Sequence, residues 1–238
     1  IDVFSSWGSA ENVQGCAAGT MEMGLTDHAL AWEAYNGKGV FYEGKPQTNL
    51  RLLWPQSDLY FEVMVSSDDK AKTISEAFAP GRRVGMYGST AIVMVDKFFP
   101  LFGIDPKQFS GGGYKSMGSN EAYEAFHLRL LDTQFRFNGK YSGQVMELCT
   151  KMRIRLIPVP ENMIKEFTTK YPAYVETVCE KSMYDTDTGF DVKTISVPGV
   201  VVTNKDLPQD LAYNMAKTLF KPENLQLIHK TLRAYEYM

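Results

Sequence analysis

Hydrophobic and polar positions repeat with two different periods along this chain, and each change of period marks a new element. Ile1–Ser6 reads as a strand ended by Trp7-Gly8-Ser9, and Asn12–Thr20 as a short helix that Ser9 can cap. Met21–Leu25 predicts a second strand, and Ala29–Tyr35 a helix that stops at Asn36-Gly37. Leu50–Val65 holds two strand-like runs divided by residues 55–58, and polar Ser66–Lys72 reads as a linker. A second series follows. Val84–Met86 is a strand, after which Ile92, Val95, Phe99 and Phe102 recur at helical spacing up to Gly103. Gln108–Gly118 is a glycine-rich loop, Ser119 can cap a helix over Asn120–Leu130, and Gln134–Phe137 is a strand ending at Asn138-Gly139. Arg153–Val159 predicts a strand, and Asn162–Tyr171 a helix with Met163, Phe167 and Tyr171 on its core face. Residues 179–194 are polar and irregular. Ile195–Thr203 is a β-branched strand, and Pro208 opens a last helix with Leu211, Met215 and Leu219 facing inward.

Two β-α series in succession predict an α/β protein with mainly parallel sheets in two lobes. Ligands of such sheets bind at the carboxyl ends of strands. The corner at Gly88–Thr90 is then expected on one side of a cleft, with the Ser9–Asn12 and Leu25–His28 corners on the other.

Composition narrows the function. The 238 residues suffice for one large domain or two modest ones. A net charge of −3 makes no electrostatic case for nucleic acid or an anionic membrane surface. No apolar run is long enough to span a bilayer, so no direct membrane insertion is expected, and no secretory signal is visible in the residues at hand. Cys16, Cys149 and Cys179 are scattered and odd in number, which suits small apolar residues better than disulfides. His28, His127 and His229 have no metal-ligand spacing, so neither a metal nor a cofactor is expected. There is no GxSxG, no Walker loop, no GxGxxG and no nucleophile–base pattern, which favours binding over catalysis.

The candidate chemistry is that of an anion site. Strand, small-residue turn and helix over Gly81–Ile104 gather unpaired backbone N–H groups at Tyr87, Gly88, Ser89 and Thr90. That corner suits a carboxylate or phosphate; equally, Ser89 or Thr90 can simply cap a core helix. Ser9 and Asn12 offer donors beside another helix start, or capping alone. Asp27 follows a strand end and can receive an amine or hydroxyl, or cap the next helix. Arg136 can pair bidentately with an acid or form a surface ion pair, and Asn138 lies two residues beyond it. Trp7, Tyr87 and Tyr174 can line a cleft or belong to the core.

Several segments together resemble the TAXI-type solute receptors of TRAP transporters. They are GSAEN (Gly8–Asn12), AWEAYNG (Ala31–Gly37), RVGMYGSTA (Arg83–Ala91), EAYEAF (Glu121–Phe126), IRLIPV (Ile154–Val159) and KYPAYV (Lys170–Val175). ISVPGVVVT and DLPQDLAYNMAKTLF, within Ile195–Phe220, complete the set. The resemblance implies a type II periplasmic-binding-protein fold, with two α/β lobes hinged around a central cleft. Lobe I would take residues 1–65 and 195–238, and lobe II residues 66–194. It further implies an extracytoplasmic or periplasmic protein that closes over a small organic acid such as glutamate or 2-oxoglutarate and passes it to TRAP transporter membrane subunits.

Departures from the family pattern accompany the likeness. The family's opening strand and ligand loop have no counterpart ahead of Ile1, so part of the first wall is expected to be missing. Asp27 stands where glutamine is common. The family's apolar DAFFFxxGxP stretch is here Asp132–Tyr141, with Arg136 inside it and no proline. These changes keep open a receptor for a sulfonate or aromatic acid, and an enzyme or sensor domain built on the same fold.

Overall fold

The computed structural model describes residues 2–3 and 6–231, and it divides into two compact units, Ile1–Asp58 with Val197–Met238, and Leu59–Ser196. The expected strand Ile1–Ser6 lies partly outside the described residues.

The first unit opens with α1 (Ser9–Ala18), β1 (Met23–Asp27), α2 (His28–Asn36), α3 (Gly39–Tyr42) and β2 (Leu50–Pro55). The rest of the chain runs through β3 (Leu59–Ser66), α4 (Ile74–Ala77), β4 (Val84–Tyr87), α5 (Ser89–Leu101), β5 (Lys115–Met117), α6 (Ser119–His127), β6 (Thr133–Gly139) and α7 (Gly143–Lys151). It continues with β7 (Ile154–Leu156), α8 (Glu161–Lys170), β8 (Val175–Cys179), β9 (Val192–Val197), β10 (Gly199–Asn204), α9 (Gln209–Leu219) and α10 (Pro222–Thr231).

The sheet of the first unit has the order β1-β10-β2, and both pairings are antiparallel. The expectation of a mainly parallel sheet fails here, because β10 returns from the far end of the chain to fill the centre. Its run Val200–Val202 is buried, as a central strand requires. α1 lies close against β1: a Cβ on Gly24 would stand 2.7 Å from the Asn12 Cβ and 3.2 Å from the Cys16 Sγ. α2 begins at a real cap, since the Leu30 N–H donates to the Asp27 carboxylate at 2.8 Å. Asp27→Ala is expected to cost about 1 kcal/mol in urea denaturation, and Asp27→Asn less, because asparagine keeps the accepting oxygen.

Expectation and structure differ again at the C-terminal end. None of Leu211, Met215 and Leu219 is buried, and Leu211 is exposed. Amphipathic spacing makes an apolar stripe, but burial needs a surface opposite it.

In the second unit the sheet order is β5-β4-β6-β3-β9-β8, with β7 also paired to β3. β4 is parallel to β5 and β6, whereas β3 is antiparallel to β6 and β7. The sheet is therefore mixed. The two strand runs within Leu50–Val65 separate into different units, β2 into the first and β3 into the second. The stretch expected to be a linker, Ser66–Lys72, is tied down instead. Arg82 pairs with Asp69 at 2.9 Å, and Arg155 donates to the Ala71 carbonyl at 2.9 Å.

Two further differences concern single elements. The expected strand Ile195–Thr203 is two strands, β9 and β10, interrupted at Pro198. α7 was not anticipated, although Val145, Leu148 and Cys149, all buried, have helical spacing.

β3 and β6 divide their side chains between the two faces of the sheet. Phe61 and Phe135 lie on one, in a cluster of rings with Phe78, Phe98 and Phe99. The opposite positions Glu62 and Arg136 are register partners, and they share the other face with Met64, Gln134 and Asn138. Met64 there packs with Tyr123 of α6, Val145 and Leu148 of α7, and Tyr184. Burying four polar side chains in the middle of a sheet is costly unless each has a partner. That cost makes this face the place to look for function.

Candidate functional site

Arg136 is the centre of the site. It lies on β6, 2% exposed, beside the carboxyl end of the parallel strand β4. Its guanidinium carbon sits 4.8 Å from the ring centre of Tyr87 and 4.3 Å from that of Tyr123. Contact with two aromatic faces holds the charge in place without neutralising it. One nitrogen, Nη2, donates to the Gln144 Oε1 at 3.3 Å and, more weakly, to the Ser119 Oγ at 3.5 Å. The other two, Nε and Nη1, have no hydrogen-bond partner among the described residues. A buried guanidinium with two unmet donors lacks acceptors that an oxyanion could supply.

Two helix starts adjoin it. α5 begins immediately after Tyr87, with Gly88 as its N-cap at φ 85°, a left-handed conformation that costs glycine little. Ser89 and Thr90 are thus the first residues inside the helix, both buried, and neither is the cap that the sequence allowed. α6 also starts at a glycine, Gly118 in an extended conformation, and the Ser119 hydroxyl donates to the Gln144 Oε1 at 2.7 Å. Both helices direct the positive ends of their dipoles toward the carboxyl ends of β4 and β5.

Beneath Arg136 lies an acid. Glu62 is 2% exposed and accepts hydrogen bonds from the Asn138 Nδ2 and, at 2.9 Å, from the Tyr184 hydroxyl. Burial pushes its carboxyl up to about 7, against the opposing pull of those two bonds and of Arg136. Burial likewise raises the Tyr123 phenol to about 12.

The remaining candidates have other roles. Asn138 is committed to Glu62. Tyr174 is 2% exposed and packs on the rings of Phe137 and Phe167. In the first unit Trp7 is exposed, and its backbone N–H donates to Glu11. Ser9 is the first residue of α1, which has Gly8 as its N-cap. Asn12 donates to the Leu25 carbonyl at 2.7 Å, tying α1 to β1. Asp27, fully buried, caps α2. Sequence reasoning overlooked Glu62, Ser119, Tyr123, Gln144 and Tyr184 as parts of a site. One signal was available: Glu62 is a lone acid in the apolar run LYFEVMVS.

The fold has relatives among solved structures. The binding protein component of an ABC phosphonate transporter from Pseudomonas aeruginosa shares 11% identity with a TM-score of 0.57, over 96% of this chain and 67% of that one. A protein from Xanthomonas citri bound to chloride ion shares 10% identity with a TM-score of 0.53, over 93% and 72%. The alkanesulfonate-binding protein from Xanthomonas axonopodis pv. citri, bound to MOPS, shares 12% identity with a TM-score of 0.51, over 96% and 67%. The chain spans 66% and 56% of the length of the sulfonate-binding proteins it matches from Escherichia coli and Methylobacillus flagellatus. Identities this low speak for fold, and the fold is that of the type II periplasmic-binding proteins. No helix of the described residues is long and apolar enough to cross a membrane. The model of the NMT1-like family matches residues 1–238, and the chain belongs to that family.

Proposed function

We propose that this chain is the solute-binding component of a transport system, taking up a small organic acid outside the cytoplasm without chemical turnover. One observation carries the reading: Arg136, buried and stacked on two tyrosines, keeps Nε and Nη1 without protein acceptors beside two helix starts. An oxyanion supplies the acceptors these two donors lack, each charge-assisted bond being worth about 1.5–3 kcal/mol. The positive end of the α5 dipole favours negative charge there as well. The motif resemblance favours glutamate or 2-oxoglutarate as the acid and TRAP membrane subunits as the partner.

A second reading, a sulfonate or phosphonate receptor serving an ABC transporter, draws on the phosphonate- and sulfonate-binding neighbours. A tetrahedral oxyanion can accept from the same unmet donors. Titration calorimetry of the full chain against glutamate, 2-oxoglutarate, methanesulfonate and methylphosphonate separates the two. Saturable binding of a carboxylate, with the tetrahedral anions weaker by tenfold or more, is the expected result. The reverse order selects the second reading, and no heat from any of the four in a folded sample overturns both.

A further inference from the structure

The acid beneath Arg136 gives the site a property that the anion alone would not. Glu62 and Arg136 stand opposite one another on the same face of β3 and β6, both 2% exposed, yet they form no hydrogen bond and no ion pair within 4 Å. The Arg136 charge acts on Glu62 without being consumed by it, and an anion accepting from the unmet Arg136 donors would compete for that charge. We propose that Glu62 sets the charge accepted by this site, so that an anion enters together with a proton taken from solvent by the Glu62 carboxyl. This rests on the anion-site reading above.

The groups around Glu62 leave few alternatives as proton acceptor. From β6 it faces Arg136 and Asn138, and from the segment after β8 it faces Tyr184. Tyr123 of α6, Cys149 of α7 and Cys179 of β8 also feel its charge, and Lys140, paired to Glu180 at 3.0 Å, lies behind Cys179. Burial raises the three tyrosine and cysteine groups Tyr123, Cys149 and Cys179 further from neutrality, and does the same to Tyr184. Glu62, at about 7, is the member of this set that changes charge near neutral pH. A bound anion adds negative charge beside it and so favours its protonated form. By linkage the converse holds: protonating Glu62 strengthens anion binding, and ionising it weakens binding.

The sign of the pH dependence follows. Affinity is highest below about pH 7, where Glu62 is already protonated, and falls by up to roughly tenfold per pH unit above it. Calorimetry of the full chain with 2-oxoglutarate and with methanesulfonate, whose own charges are constant from about pH 6 to about pH 9, tests this in two buffers of different ionisation enthalpy. The expected result is uptake of about half a proton per ligand at pH 7 and about a tenth at pH 6. Glu62→Gln, neutral at every pH, is expected to flatten the profile and to bind more tightly than wild type at pH 8. Should that variant not fold, Tyr184→Phe supplies the second arm. It removes a bond that favours the ionised carboxyl, so the decline in affinity should begin at a higher pH. Binding without proton uptake, or a declining profile retained in Glu62→Gln, overturns the role of Glu62 while leaving the anion site intact. Absence of binding by both ligands at every pH overturns the anion site, and this inference with it.

Discussion

Arg136→Ala is expected to abolish measurable binding of small acid anions, and Arg136→Lys to weaken it by roughly 100-fold or more. Two charge-assisted bonds to an oxyanion contribute about 3–6 kcal/mol, a factor of roughly 10² to 10⁴ in affinity. Lysine retains the charge but not the planar fork, and a compact ammonium loses the stacked contact with Tyr87 and Tyr123. Calorimetry with the same panel of acids measures the loss, and circular dichroism shows whether each variant is folded. Folding needs that check because removing the guanidinium takes away the charge that partly offsets Glu62. An affinity unchanged in folded Arg136→Lys would show that the anion lies elsewhere.

The largest effect on stability is expected from Phe135→Ala. Phe135 is fully buried on the aromatic face of β6, with ring centres of Phe78 and Phe99 each 5.4 Å from its own. Truncation removes a large apolar surface and leaves a cavity that the neighbouring rings, themselves packed on β3, β4 and α5, can only partly fill. The expected cost is about 3–5 kcal/mol, seen as a fall in the urea midpoint or a Tm lower by about 10 °C. Leu128→Ala, at a position 56% exposed, is the control and should change stability by less than about 0.5 kcal/mol. A small effect at Phe135 would mean that the ring cluster is looser than its geometry indicates.

Parts of this site could be read from the chain. The strand, glycine turn and helix around Val84–Ile92 were legible because each has its own local signature: β-branched residues, a break, then helical spacing. Arg136 drew notice as a charge in a stretch otherwise apolar in related sequences. Which residue caps each helix was misjudged by one position at Ser9, Ser89 and Ser119, where a glycine precedes the serine and takes the cap. Cap preference alone does not separate two neighbouring small residues. α7 went unseen because Gly143 and the polar Gln144 weaken a pattern carried by only three buried positions.

Local periodicity belongs to the sequence. In TQFRFNG and LYFEVMVS, residues two apart share a face whatever the strand's neighbours are, so Phe135 and Phe137 were bound to oppose Gln134, Arg136 and Asn138. Pairing is another matter, because hydrogen bonding between strands connects residues far apart and depends on which edges the whole chain leaves available. Only the tertiary structure could place β10 between β1 and β2 in an antiparallel sheet, or set Glu62 opposite Arg136. Burial then followed from that pairing. Two residues that are merely charged in the sequence became, once covered by α6 and α7, an arginine with unmet donors and an acid poised near neutrality.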